Sequence, residues 1–389
     1  MNRWRYLLVL LVLLCLSGQI GLADQNGTVN PDVFKIGAIY NLNGSQANLD
    51  IPSSQGALTA ARLINKKGGI DGVKVDVIMR DGASDPETIR KVAEDLISNE
   101  SVPVLIGLSD TDMVLPAAQV AAAHHVPFIT SGATSPKLPE QVPDYLYLAC
   151  FGDNAQGSLA AEYAYKNLSY HSCIVVYDTD MQYTTLLAQY FSERYKELGG
   201  TIVSQVPIHP KTNVSDVFSN LSSGNQPDFY YIAVGPEDAP GVIRAAHGQN
   251  TVPIIGGDSF DTKNLSNAVL DTDGDVYYTT HAYFGGENIS SEIQNFKTDY
   301  TSEYGTEPTP FAGLGYDAVM IAVRAAGNND LGTDLREGIN QIHDYSGVTG
   351  TISYENGTTI PKKSVHLIYT DGLSLTQVDN NVPEKVPNP

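Results

Sequence analysis

The densest concentration of groups able to hold a small ligand lies between residues 103 and 134, PVLIGLSDTDMVLPAAQVAAAHHVPFITSGAT. An apolar run over 103–106 ends in Gly107 and the polar turn Ser109-Asp110-Thr111-Asp112. An alanine-rich helical run reaches His125. A second apolar run, 126–130, then ends in a small polar turn holding Gly132, Ala133 and Thr134. Such a strand–helix–strand unit sets hydroxyls and free backbone amides at the carboxyl ends of two parallel strands, the edge where open parallel sheets bind ligands. Helix N-termini there offer unpaired N–H groups and partial positive charge, which suit a carboxylate or another anion. Pro116 is most comfortable at a first helical position, so the helix is expected to begin near Leu115, after a loop over 109–114. Catalysis is not indicated. The chain lacks G-x-S-x-G, H-E-x-x-H, the phosphate-binding G-x-x-x-x-G-K-[ST] and the dinucleotide-binding G-x-G-x-x-G. No cofactor or metal site is expected.

The elements that must position these groups alternate along the chain. Residues 33–40 read as a strand, 54–67 as an amphipathic helix stopped by Gly68-Gly69, 73–80 as a strand and 86–99 as a helix. After the 103–134 unit a comparable series begins. It runs helix 156–168, strand 172–177, helix 183–198, strand 201–206, helix 214–222, strand 228–234, helix 239–247 and strand 251–256. Two series of this kind imply two parallel sheets, because parallel strands need crossover helices. Beyond them, 276–284 is strand-like, helices are expected over 291–304, 313–327 and 333–342, and a hairpin over 349–369 about Glu355-Asn356-Gly357. The tail 380–389, rich in proline and asparagine, is expected to be disordered.

A length of 389 residues exceeds one comfortable core and favours two domains. Residues 1–23 read as an export signal: Arg3 and Arg5, an apolar stretch over 6–16, and the small-residue site Gly21-Leu22-Ala23. The expected location is therefore periplasmic or cell-surface. Leu14 before Cys15 argues against a lipid anchor, whereas an uncleaved signal would tether the chain through its N-terminus. The formal net charge is −21, and removing residues 1–23 takes away two arginines and no acid. That balance opposes nucleic acid and anionic lipid surfaces. Cys150 and Cys173 read as two small buried hydrophobes rather than a disulfide framework.

The sequence resembles the leucine/isoleucine/valine-binding family of extracytoplasmic solute-binding proteins from residue 34 to about residue 373. The blocks that carry the likeness are GALTAARLINKKGGIDG (56–72), VDVIMRDGASDP (75–86), IGLSDTDMVLPAAQV (106–120) and VPFITSGATSPKL (126–138), then VVYDTDMQY (175–183), VPIIGGDSF (252–260) and FAGLGYDAV (311–319). Their order and spacing together are specific. The resemblance implies an α/β fold of two Rossmann-like lobes, each a parallel sheet flanked by helices, joined by three hinge segments: the type I periplasmic binding protein. The N-terminal lobe would take 31–150 plus 281–350, and the C-terminal lobe 151–280 plus 351–375. The implied function is capture of an amino acid, branched-chain or otherwise apolar, in the interlobe cleft by a monomer, and delivery to the membrane permease of an ABC importer.

The same resemblance implies the site. Thr111 stands where the family holds the ligand carboxylate, with Gly132, Ala133 and Thr134 in the second loop. Asp258 stands where an acid faces the ligand ammonium, and Tyr183 matches a pocket tyrosine of the second lobe. Helix capping by Thr111 and turn formation by Gly132, Thr134 and Asp258 would explain the same residues without a ligand. Two departures alter the walls: Leu49 and Gly235 stand where the family commonly has aromatics. They motivate alternatives of urea, a short amide or an aromatic acid in the same fold. An extracellular sensory domain is a further alternative, which would need a retained anchor and a signalling module.

Overall fold

The computed structural model describes residues 33–286, 289–328, 334–354 and 357–389, so the expected export signal lies outside it. In the first lobe, β1 (Val33–Tyr40), β2 (Lys74–Asp81), β3 (Leu105–Gly107), β4 (Phe128–Thr130) and β5 (Leu146–Leu148) form a wholly parallel sheet in the order β2-β1-β3-β4-β5. Helices α1 (Ala47–Lys66), α2 (Pro86–Ser98), α3 (Thr111–Ala123) and the single turn α4 (Leu138–Gln141) connect the strands. Alternation along β1 sends Phe34, Ile36 and Ala38 into one core with Ala57 and Ala60 of α1. Ile39 goes into the opposite core with Ile89 and Ala117. Both faces of the sheet are thus covered, as an all-parallel sheet requires.

The second lobe repeats the plan. It runs α5 (Asp153–Glu162), β6 (Ser172–Asp178), α6 (Gln182–Glu197), β7 (Thr201–Ile208), α7 (Val214–Ser222), β8 (Phe229–Ala233), α8 (Ala239–His247), β9 (Ile254–Gly256), α9 (Leu265–Leu270) and β10 (Val276–Thr280). The parallel strands lie in the order β7-β6-β8-β9-β10, the same winding as the first sheet. The chain then returns to the first lobe through α10 (Ser291–Tyr304), α11 (Pro310–Asn328) and α12 (Leu335–Asn340), whose Phe296, Tyr316 and Ile339 join the core of Phe34 and Ile36. The short strands β11 (Tyr345–Gly347) and β12 (Gly350–Ile352) follow, then β13 (Val365–Thr370) and β14 (Leu375–Asn381).

Three segments cross between the sheets, over 149–152, 281–284 and the described residues 353–354 and 357–364, and they run side by side. Leu148 N donates to Thr359 O at 2.9 Å, Lys363 Nζ donates to Ala149 O at 3.0 Å, and the His281 ring stacks on Phe151 at 4.1 Å.

Two expectations are corrected here. Of the hairpin expected over 349–369, Glu355 and Asn356 of the turn lie outside the described residues, and the described flanks pair elsewhere. A tighter hairpin, β11–β12, turns at Val348-Thr349, and 365–370 becomes β13, antiparallel to both β10 and β14. The run Val365-His366-Leu367-Ile368 is buried throughout, which suits a strand inside a sheet and not an exposed two-stranded ribbon. The tail, expected to be disordered, is tied to the second lobe. Asn154 Nδ2 donates to Pro387 O at 2.7 Å, Glu384 N donates to Glu162 Oε2 at 3.0 Å, and Lys385 pairs with Glu197 at 2.6 Å. Composition gave the tail no order of its own; acids on α5 and α6 supply it.

Helices α1 and α11 approach so closely that only glycine fits at two reciprocal points. A Cβ on Gly56 would run into the Ala312 carbonyl, and one on Gly315 into the Ser53 carbonyl. Backbone atoms cannot rotate aside as a side chain can. Gly56→Ala is therefore expected to destabilise the protein by about 1–3 kcal/mol, as overpacked cores do. Thermal denaturation checks this, and an unchanged Tm would show that the two helices can part freely.

Candidate functional site

The loops that follow the strands of both sheets face each other across one cleft. From the first lobe come Leu49, near the start of α1, Ser109, Asp110 and Thr111 after β3, and Thr134 after β4. From the second come Met181 and Tyr183 at the start of α6, Pro236 after β8, and Asp258 and Ser259 after β9. This is the carboxyl edge of both sheets, as open α/β architecture dictates. The lobes meet, and the cavity enclosed is about 10 Å³, room for about one water molecule. A larger ligand needs the lobes to part.

Of the residues singled out from the sequence, Thr111, Thr134, Tyr183 and Asp258 converge on this cavity, each almost fully buried. Gly132 and Ala133 do not line it. Their amides are used inside the first lobe, Gly132 N donating to Leu108 O at 3.4 Å and Ala133 N to Thr130 Oγ1 at 3.3 Å. Gly132 packs where a Cβ would press on Phe311 and on Ser109 Cβ, each at 3.1 Å, so its place is steric.

The helix after β3 begins earlier than its proline suggested. Helix α3 starts at Thr111 and carries Pro116 inside its second turn. So near the N-terminus a proline removes only one helical hydrogen bond, that from its own missing N–H. Asp110 is the cap, not Thr111: its carboxylate accepts from Asp112 N at 3.0 Å. That leaves the Thr111 hydroxyl to accept from Ser135 N at 3.3 Å, tying the two first-lobe loops together.

Asp258 is the hub of the second-lobe wall. Its Oδ1 accepts from Tyr183 Oη at 2.7 Å and from Gln156 Nε2 at 2.9 Å, and His281 Nε2 lies 2.9 Å from Oδ2. Burial pushes this carboxyl up, but the hydrogen bond and charge of His281, with Tyr183 and Gln156, bring it below the usual carboxylate range. Gln156 Nε2 also donates to Asp153 Oδ1 at 2.9 Å, while its Oε1 accepts from Thr279 Oγ1 at 2.7 Å. The other acids lack such support. Burial, then the charge of Asp112, pushes Asp110 up to about 8; burial, then the charge of Asp258, pushes Asp153 up to about 8; burial pushes Asp50 up to about 6. Among the described residues, no lysine or arginine lines the cavity.

Sequence reasoning missed Asp110, Gln156 and His281. Spacing on α5 signals Asp153 and Gln156 as a pair on one helix face, but nothing local connects either to Asp258, 102 positions on. Both wall departures are visible. Leu49 borders the cavity, and a Cβ on Gly235 would meet Met181 Sδ at 3.1 Å, so Met181 occupies space beside the position of the missing aromatic.

One contact clasps the lobes directly. Asp112 of the first lobe accepts from Gln182 N, at 3.1 Å through Oδ1 and 3.0 Å through Oδ2. Helix α6 has no side-chain cap of its own, so an acid from the other lobe caps it. Cys150 and Cys173 are both buried and unpaired, as expected.

Two lobes of matching winding, three parallel crossings and an enclosed polar cleft define a protein that closes on a small solute. The chain belongs to the periplasmic binding protein family: the family profile of that description matches residues 33–368. It is a solute-binding protein and not an enzyme, and membership places it outside the cytoplasm. Leu/Ile/Val-binding protein homolog 1 of Brucella abortus is 25% identical over 334 residues, 85% of this chain and 88% of that one. The isoleucine complex of the branched-chain amino acid transporter substrate binding protein LivJ from Streptococcus pneumoniae superposes with a TM-score of 0.81. It is 24% identical and covers 90% of this chain and 99% of its own. A solute binding protein of an ABC transporter from R. palustris, in complex with benzoate, superposes with a TM-score of 0.78 at 18% identity, covering 90% and 97%. The resemblance read from the sequence and the two-lobed α/β architecture are both borne out.

The unsupported acids set a pH dependence. In the folded protein Asp110 holds its proton up to about pH 8, against an ordinary carboxylate value of about 4. Its contribution to stability is full below about pH 4 and is lost as pH rises toward 8. Asp110→Asn keeps a helix cap and cannot ionise. Its Tm should gain steadily on wild type from pH 4 to pH 8, and a constant difference would exclude titration of Asp110 in that window. Asp112→Ala should shift the free protein toward an open form, read as a larger radius of gyration in X-ray scattering. Unchanged scattering would mean that α6 needs no cap from the opposite lobe.

Proposed function

We propose that this chain is the extracytoplasmic receptor of an ABC importer and captures an α-amino acid, branched-chain or otherwise apolar, between its lobes. The observation that carries the reading is Asp258, a buried and ionised acid set across the cavity from the hydroxyls of Thr111 and Thr134. The ammonium would pair with Asp258 as Tyr183 covers it, and the carboxylate would sit at the amino end of α3 with Thr111 and Thr134. Leu49, Met181 and Pro236 would supply an apolar wall for the side chain. Charge-assisted hydrogen bonds contribute roughly 1.5–3 kcal/mol each, and micromolar binding needs only about 8 kcal/mol, so a few such bonds with apolar burial suffice. Closing about the hinge would present both lobes to a membrane permease, with the protein acting as a monomer, and the N-terminal signal would route it there.

The leucine/isoleucine/valine-binding names of the relatives support an amino acid, and the benzoate complex of a more distant one raises an aromatic acid as the second reading. The walls oppose that alternative. Asp258, held ionised, borders the cavity and no lysine or arginine among the described residues does, so a lone carboxylate would meet its negative charge with no ammonium to offset it. A neutral amide or urea meets no such penalty.

A thermal-shift panel of amino acids, amides and aromatic acids separates these readings. A ligand that binds only the folded form, at 100 times its Kd, stabilises by about 2.7 kcal/mol. Stabilisation by amides or benzoates with none by any amino acid would overturn the amino-acid reading. Asp258→Asn should weaken amino-acid binding at least tenfold, about 1.4 kcal/mol. Calorimetry with unchanged affinity would remove Asp258 from the site.

A further inference from the structure

We infer that His281, a residue of the second crossing segment, is the positioning residue of the ligand-facing carboxylate of Asp258 and links the charge state of the cleft to the hinge. The inference rests on Asp258 receiving the ligand ammonium. His281 follows β10 directly, and its side chain is 0% exposed. The imidazole stacks on Phe151 of the first crossing segment, centroids 4.1 Å apart at 26°, and stands edge-on to Phe311 of α11 at 5.6 Å. Two elements thus hold the ring plane, and the plane aims Nε2 at Asp258 Oδ2, 2.9 Å away.

The other ring nitrogen identifies the proton. Nδ1 is buried and has no hydrogen-bond partner, and a buried N–H there would go unsatisfied. An ionised carboxylate only accepts, so the neutral ring with its proton on Nε2 satisfies both groups. His281 therefore holds one carboxylate oxygen, Tyr183 and Gln156 hold the other, and Asp258 keeps lone pairs for an ammonium.

Charges around the ring oppose one another, and burial decides the outcome. Asp258, on the turn after β9, favours an imidazolium. Burial, the larger effect, disfavours it, as does the Lys363 ammonium on the third crossing segment. His366 of β13 also lies within electrostatic reach. The net result holds His281 below its ordinary value of 6.5. A ligand ammonium at Asp258 adds positive charge beside the ring. Binding and protonation of His281 then oppose each other, and by linkage the effect is reciprocal. Affinity should fall as pH drops through the histidine's transition, below 6.5.

The variants His281→Gln and His281→Leu separate positioning from packing. Glutamine keeps an N–H donor and cannot titrate; leucine fills space with no donor. Leucine binding is measured by calorimetry from pH 4.5 to 7.5. Wild type should lose at least fivefold in affinity at the acid end. His281→Gln should bind within about threefold of wild type at pH 7.5, with an acid loss at least threefold smaller. His281→Leu should bind at least tenfold more weakly throughout. Asp50, Asp110 and Asp153 also titrate in or near this range, so the glutamine profile, not the wild-type slope alone, isolates the histidine. An unaltered acid loss in His281→Gln, or wild-type affinity in His281→Leu, overturns the inference. Histidine nitrogen NMR of the free protein gives a ligand-independent arm: a neutral Nε2–H tautomer at pH 7 supports it, and an Nδ1–H tautomer or an imidazolium overturns it. If leucine fails to bind wild type, the amino-acid reading has failed for that ligand, and the NMR arm still decides how Asp258 is held.

Discussion

A carboxylate taken out of water must be compensated where it stands, and the second-lobe wall of the cleft is organised around that requirement at Asp258. Three donors reach it from three elements: Gln156 from α5, Tyr183 from α6 and His281 from the hinge. Each donor is placed by its own packing, so the carboxylate sits at a junction where two helices, the end of β9 and a crossing segment meet. Removing one partner of such a network costs more than the bond itself, because the remaining charge is left buried without support.

The hinge follows the same physics with opposite sign. Lys363 is buried among the crossing segments, where its ammonium donates to Ala149 O and to the Thr349 hydroxyl. Asp317, also buried, accepts from Val348 N at 3.0 Å and Thr349 N at 2.9 Å. A cation and an anion thus lock the third crossing against the first and against α11. Asp50 and Asp110 of the first lobe and Asp153 of the second are buried with no histidine, lysine or arginine paired to them among the described residues, and burial pushes all three carboxyls up.

The alternation of elements and the two sheets were legible in the sequence because they rest on local periodicity, and the family was legible through the order and spacing of the blocks from 56–72 to 311–319. Strands at every second residue and helices at about every 3.6 residues place apolar side chains on one face regardless of what they later meet. Thr111, Thr134, Tyr183 and Asp258 were legible as candidates because they follow strands at the edge where loops must gather. Gly132 was assigned by the family resemblance and Ala133 with it, and the structure spends their amides inside the first lobe. Pro116 misplaced the start of α3 because a proline weighs heavily in isolation, while one lost hydrogen bond in a capped and buried helix weighs little.

The sequence by itself determined the building units, their order and the polar loops at the strand ends, since these depend on neighbours within a few residues. Tertiary structure alone decided that β13 joins the second sheet, that the tail is tied to α5 and α6, and that Asp112 caps a helix of the other lobe. It alone also joined Gln156, Tyr183 and His281 to one carboxylate. Those contacts span separations of 23 to 102 positions, and only the folded chain brings such charges close enough, and dry enough, to govern one another.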